Sequence, residues 1–213
     1  MGIVRYVSMA AALGACGAPP KPSPPEPPPF VSLPPNTLRE VHAFDLIPDR
    51  SARSMALFAE ASKVLLHPRC VNCHPSDDRP RQRNGEPHVP PVERGPDDRG
   101  IAVLECSSCH TSHNAELARV PGAPKWHLAP RSMAWFGKDL ADICTQIKDK
   151  TRNGGKTLAE IVDHVAHDEL VAWGWAPGAD REPAPGTQAQ AGALFQAWVD
   201  TGAACPPKPT EAR

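Results

Sequence analysis

Two short stretches decide how this sequence is interpreted, CVNCH at residues 70–74 and CSSCH at residues 106–110. Each stretch places two cysteines three residues apart, with a histidine directly after the second. This pattern is typical of c-type haem attachment, in which two thiols bind the vinyl groups and the histidine becomes an iron ligand. We therefore predict two covalently attached haems c, held by Cys70, Cys73, His74, Cys106, Cys109 and His110.

The same four motif cysteines admit two other interpretations. A C-x₂-C…C-x₂-C pattern also occurs in zinc ribbons. The gap between the two pairs is, however, longer than usual for such a site, and zinc does not explain the two histidines. Two CxxC disulfides would be strained and redox-active. Haem attachment is favoured because it accounts for both histidines.

Charge and proline content narrow the class of protein. The chain has 213 residues, with 23 Lys and Arg against 24 Asp and Glu, and a net charge of −1. No basic footprint is present, so a nucleic-acid partner is not expected. Proline accounts for 27 residues, which disfavours long helices and sheets because each proline removes a backbone donor. No run of apolar residues beyond the N-terminus is long enough to predict a membrane span.

Residues 1–16, MGIVRYVSMAAALGAC, resemble an export signal. A basic residue precedes a short apolar stretch that ends in small residues. Leu13-Gly14-Ala15-Cys16 resembles a bacterial lipobox, so we predict cleavage before Cys16 and lipid attachment to it. An ordinary signal peptide would leave Cys16 as an unexplained thiol. The prediction is a lipoprotein, anchored in a bacterial membrane and facing the periplasm.

The next segment, 17–37, is predicted to be a tether. It contains ten prolines, which favour an extended polyproline II conformation reaching roughly 60 Å at ~3.1 Å per residue. The folded unit is predicted over 38–213 as a small, mainly α, dihaem cytochrome c-like domain with long irregular loops.

Apolar spacing and capping residues predict four helices in this unit. No strand is expected. The loop 75–100 is long enough to suggest that it wraps a bound group, and its arginines are candidates to pair with haem propionates. The predicted helices cover 51–66 and 139–150, follow a capping box at Thr157 and Glu160, and follow a cap at Thr187.

Cys144 and Cys205 remain once one cysteine is assigned to lipid and four to haem. In an oxidising compartment a disulfide between them is expected, with two buried free thiols as the alternative.

The sixth ligand of each iron is not defined by a motif. Histidines outside the motifs are candidates, and two histidine ligands give a lower potential than a histidine with a methionine. We rank the candidates in the order His127, His88, His164, His167 and Met133.

Several further stretches resemble a family of exported dihaem c-type cytochromes whose members are often labelled isoquinoline 1-oxidoreductase. The stretches are PGAP at 121–124, WHLAP at 126–130, RNGG at 152–155, PAPGT at 183–187 and the helix LFQAWV at 194–199. Together they span most of residues 60–206. Isoquinoline 1-oxidoreductase is a molybdenum hydroxylase, and this chain is too short to contain a molybdopterin domain. The resemblance therefore implies a redox partner of such an enzyme.

The resulting functional hypothesis is single-electron transfer to and from partner proteins, with the membrane contacted only through the lipid. The alternative is a peroxidase-like haem enzyme in which one iron keeps an open coordination position and a histidine such as His167 acts as acid–base. The sequence leaves open whether the protein is an enzyme.

Overall fold

The computed structural model describes residues 1–2, 36–178 and 180–209. The chain divides into Met1–Ser32 and Leu33–Arg213, and all described secondary structure belongs to the second unit. The predictions for the signal peptide, Cys16 and nearly all of the tether fall on residues outside the described ones.

The second unit is mainly helical, as expected from the sequence. Among the described residues, four helices are longer than two turns, and each of them begins at a side-chain cap. Asp49 caps the first of these helices, which begins at Arg50, one residue before the start predicted at Ser51. Asp139 caps the helix that begins at Leu140. Thr157 and Thr187 each form the capping box with the residue three positions later. The helices are α1 (Arg50–Leu65), α2 (Pro68–Val71), α3 (Leu140–Lys148), α4 (Leu158–His167), α5 (Glu169–Ala172) and α6 (Gln188–Asp200).

The expectation of no strand was wrong, although the strands are only two residues long. They form two antiparallel pairs, in which Arg81 lies opposite Pro87 and Gly100 lies opposite Glu105. Tight turns bring these segments together, so no alternating apolar pattern marks them in the sequence. The strands are β1 (Arg81–Gln82), β2 (Glu86–Pro87), β3 (Gly100–Ile101) and β4 (Leu104–Glu105). Short 3₁₀ turns occupy Val41–Phe44, Cys106–Ser108, Glu116–Ala118, Arg131–Met133 and Trp173–Trp175.

The core lies where α6 packs against α1 and α4. Phe58 of α1 meets Phe195 and Trp198 of α6, with ring centroids 6.4 and 5.0 Å away. All three side chains are fully buried. A Cβ at Gly192 would lie 2.6 Å from the Cβ of Ala166, so a glycine is needed for α6 to approach α4 this closely.

The end of the chain is tied to α3. Cys144 and Cys205 form the expected disulfide, with Cα atoms 5.6 Å apart. Lys148 Nζ donates to the carbonyl of Ala203 at 2.6 Å beside it. Of the helices formed by the described residues, none has both the length and the apolarity to cross a membrane.

Candidate haem sites

The first CxxCH motif lies on and just after the short helix α2. His67 caps this helix by accepting from the backbone N–H of Arg69, and Pro68 occupies its first position. Cys73 N–H donates to the carbonyl of Cys70 at 3.1 Å. The local turn therefore keeps the two thiols on one side of the chain, as attachment to one macrocycle requires.

Cys70, Cys73 and His74 line a cavity of about 340 Å³. This volume lies within the range of ligand and cofactor sites. The walls are mostly apolar and come from α1, α3, α4, α6 and the segment 127–135. Members of these walls include Leu65, Leu128, Ile147, Ile161, Trp173 and Phe195.

His74 is held in a fixed orientation. Its Nδ1 lies 2.7 Å from the backbone carbonyl of Met133, which can only accept, so Nδ1 carries the proton. The ring stacks on Trp135, with centroids 3.4 Å apart and planes 6° apart. Burial lowers the pKa of His74 to about 3, so the imidazole is neutral and its Nε2 is free to bind a metal.

Both thiols of the first motif have raised pKa values. Burial is the main cause that raises the pKa of Cys70 to about 12 and that of Cys73 to about 11. The accessible surface of both residues faces the cavity. A charge on Cys106 also raises the pKa of Cys73, so the two motifs lie within electrostatic range of each other.

The second motif follows β4 and lies on the 3₁₀ turn Cys106–Ser108, which has no side-chain cap. Cys109 is exposed and Cys106 partly buried. His110 nevertheless repeats the arrangement of His74, because its Nδ1 lies 2.7 Å from the carbonyl of Pro121 and its ring stacks on Trp126 at 4.6 Å and 7°. Burial lowers the pKa of His110 as well.

Gly122 allows the support of His110 to form. A Cβ at this position would lie 2.1 Å from the carbonyl oxygen of His113. The glycine N–H instead donates to Asn114 Oδ1 at 3.0 Å. This contact draws the neighbouring Pro121 carbonyl against the histidine of the motif.

Two of the predicted sixth ligands lie at the first cavity. His127 and His164 both line it. Nδ1 of His127 lies 2.5 Å from the carbonyl of Lys125, and Nδ1 of His164 lies 3.3 Å from a carboxylate oxygen of Asp168. Burial lowers the pKa of His164. Each histidine therefore keeps Nε2 available.

The second-ranked candidate for a sixth ligand, His88, lies beside the second motif. Its ring centroid is 5.9 Å from that of His110. Its Nδ1 lies 2.9 Å from the carbonyl of Pro90, which again leaves Nε2 available. The structure thus distributes the three candidates between the two motifs.

Of the two lower-ranked candidates, His167 is exposed and Met133 contacts a motif histidine through its backbone. Nδ1 of His167 lies 2.8 Å from Asp163. Met133 lines the first cavity, but its carbonyl supports His74. The backbone of Met133 therefore lies against His74 and orients this motif histidine.

The residues at the first motif fit a covalently attached haem. Two thiols and a neutral, oriented imidazole face one apolar cavity, and two further imidazoles line it. Within residues 36–178 and 180–209, no three His, Cys, Asp or Glu side chains are placed to share one metal ion.

Sequence analysis missed the residues that orient the motif histidines. Trp135 and Trp126 stack on the two rings, and the accepting carbonyls belong to Met133 and Pro121. A signal was present in the tryptophans, because five occur in a chain with few aromatics. The backbone acceptors carry no residue-type signal.

No family model matches this chain, and neither a curated protein nor a solved structure does.

Proposed function

We propose that this protein is a dihaem c-type cytochrome that transfers single electrons. One observation carries the proposal, the repetition of the same support at both motifs. At His74 and at His110, Nδ1 is bound to a backbone carbonyl at 2.7 Å and the ring stacks on a tryptophan. This arrangement fixes the tautomer and orientation that an axial histidine ligand needs.

A haem iron supplies reversible one-electron oxidation and reduction at each site. The chain's residues provide the covalent links, the oriented axial imidazoles and the surrounding dielectric, which together tune the potential. We assign His88 as the sixth ligand at the second site, since its ring lies 5.9 Å from that of His110. At the first site, His127 and His164 are the candidates.

The proposed setting is the periplasmic face of a bacterial membrane. The lipobox at Cys16 would attach the anchor, and the Pro-rich segment would hold the haem domain away from the bilayer. Stable anchoring requires more than one acyl chain. We infer that the donor and acceptor are redox proteins, one of them an exported oxidoreductase.

The test is to produce the full chain together with a haem-attachment system and to measure the haem-to-protein ratio and the absorption spectra. We expect two haems per chain, both low-spin. His88→Ala should convert one haem to high spin, whereas His113→Ala, which alters an exposed histidine near the second motif, should not. A chain with no covalent haem would refute the proposal.

An enzymatic function is the second candidate, and one observation favours it. Two non-motif histidines line the first cavity, but one iron accepts only one sixth ligand. The other histidine would remain beside the iron as a proton donor or acceptor. The wild-type spectrum distinguishes the functions, because an enzyme with an open iron would contain a high-spin haem before any substitution. In a low-spin electron carrier, by contrast, only one of His127→Ala and His164→Ala should create a high-spin haem.

A further inference from the structure

Several buried N–H donors around the first cavity have no acceptor. A buried donor without a partner is costly, and a buried charge without one is more so. Among the described residues, buried side-chain donors that lack a hydrogen-bond partner include Nε of Arg69, Nε and Nη2 of Arg94, and Nε1 of Trp135. Their common requirement is an acceptor, and two of these residues carry a positive charge.

Arg94 is the most strongly buried of these cations, with 5% of its surface exposed. Its Nη1 donates to Asp98 Oδ1 and to the carbonyl of Ala129, both at 2.5 Å. Its Nε lies 3.9 Å from Asp78, which is too far for a hydrogen bond. Two donors therefore remain unpaired although one carboxylate is already bound.

Arg94 lies next to the cavity wall, which it contacts through the two partners of its Nη1. Asp98 and Ala129, the two partners of Nη1, both line the first cavity. The charge of Arg94 also lowers the pKa of His74, so the guanidinium lies within electrostatic range of the axial histidine.

Trp135 and Arg69 line the same cavity directly. Trp135 is 7% exposed and stacks on His74, with its indole N–H unpaired. Arg69 is 8% exposed, and its Nη2 donates to the carbonyl of Arg83 at 3.0 Å while Nε stays unpaired. Near these guanidinium groups, the carboxylate of Asp98 is hydrogen-bonded to Arg94 and that of Asp78 lies 3.9 Å from its Nε.

We propose that Arg94, Arg69 and Trp135 form a carboxylate-binding edge of the first cavity that holds the propionate groups of the haem attached at Cys70 and Cys73. The inference rests on the proposed function. A propionate supplies the acceptors that the unpaired N–H donors of the three side chains lack, and charge-assisted hydrogen bonds of this kind are the strong ones. These are positioning residues, which set the potential through the propionates.

The midpoint potentials of the two haems test this assignment. Arg94→Gln leaves a propionate charge unbalanced, which favours the oxidised iron, so we expect one of the two components to move to a lower potential. Arg94→Lys should restore part of the shift. Arg131→Gln is the matched control. It removes the same positive charge from an arginine that is paired with Asp78, but the guanidinium of Arg131 is exposed.

A second pair of variants keeps the test valid if Arg94→Gln does not fold. Trp135→Phe removes an unpaired indole N–H. Trp175, which also lines the cavity, is the control, because its indole N–H already donates to the carbonyl of Pro185 at 3.0 Å and Trp175→Phe removes that paired group. We expect Trp135→Phe to lower the same component and Trp175→Phe to leave it in place. The propionate bending mode in resonance Raman spectra should shift only in Trp135→Phe.

The possible outcomes distinguish failure of the proposed function from failure of the propionate assignment. A chain without covalent haem refutes the proposed function. A chain with two haems in which each variant matches its control refutes the propionate assignment alone. Binding of added acetate to the wild-type holoprotein, seen as a shift of the same potential component, would also overturn it, because the carboxylate edge would then be open.

Discussion

The two CxxCH motifs place the same residue types in different surroundings. The first lies on a capped helix and faces a cavity among the core helices, while the second lies on an uncapped 3₁₀ turn at the surface. Both histidines are nevertheless oriented in the same way by a backbone carbonyl and a tryptophan. The pentapeptide therefore defines the attachment chemistry, and the fold defines its environment.

This difference would have consequences for the two redox sites of the proposed dihaem protein. A haem in an apolar cavity and a haem at a surface turn experience different dielectrics, and burial and solvent exposure are among the factors that set a haem potential. The proximity of the motifs would favour electron exchange between the proposed haems. Trp126, which stacks on His110, also contacts Trp173 in the wall of the first cavity, with centroids 5.0 Å apart.

The largest expected effect comes from removing one attachment site at a time. Cys70→Ser with Cys73→Ser should lower the haem-to-protein ratio to one and reduce the unfolding free energy by several kcal/mol, because an unfilled core cavity costs about 24 cal/mol per Å³. Cys106→Ser with Cys109→Ser should lower the ratio equally but stability much less. Thermal unfolding measures the difference, and equal losses would contradict the contrast in burial.

Thiol reactivity gives a second, smaller contrast. In chain produced without haem attachment, Cys70 and Cys73 should react with iodoacetamide far more slowly than Cys109. The pKa values of about 12 and 11, against an ordinary thiol value of 9.0, reduce the thiolate fraction by roughly a hundred- to a thousandfold. Peptide mass mapping over time measures the rates. Cys144 and Cys205 serve as an internal control because the disulfide protects them, and equal labelling of both motifs would refute the prediction.

The smallest effect concerns the cap of α2. Burial, and then the charge of Arg69, lowers the pKa of His67 below its ordinary value of 6.5. Neutral His67 accepts from Arg69 N–H, and this contribution is complete above about pH 6.5 and is lost as the pH falls through the lowered folded pKa. His67→Ala should cost about 1 kcal/mol at neutral pH, as loss of a cap does.

His67→Asn separates the cap from its titration. Asparagine is a good cap that does not titrate, so denaturant unfolding should show the wild type losing stability relative to this variant only below about pH 6.5. Glu105→Gln is the corresponding substitution at the second motif, where no side-chain cap exists, and it should produce no such divergence. A constant difference between wild type and His67→Asn across pH would rule the mechanism out.

Local signals accounted for the helical part of the fold. Capping residues at Thr157 and Thr187 predicted the starts of α4 and α6, since a cap is satisfied within four residues. Cysteine bookkeeping predicted the Cys144–Cys205 disulfide. The strand pairs β1–β2 and β3–β4 were not predicted, because two-residue ladders depend on turn geometry and show no alternation of apolar and polar residues.

The sequence by itself determined the helical scaffold and the CxxCH motifs on which the proposed attachment rests, because motif spacing and helix caps act over a few residues. Only the tertiary structure decided which candidate histidine lies near which motif. The sequence does not indicate which motif each of His88, His127 and His164 lies near. Long-range packing brings His88 to His110 and the other two to the cavity of His74. The buried charge of Arg94 is likewise a property of the fold, since burial depends on what packs around a side chain.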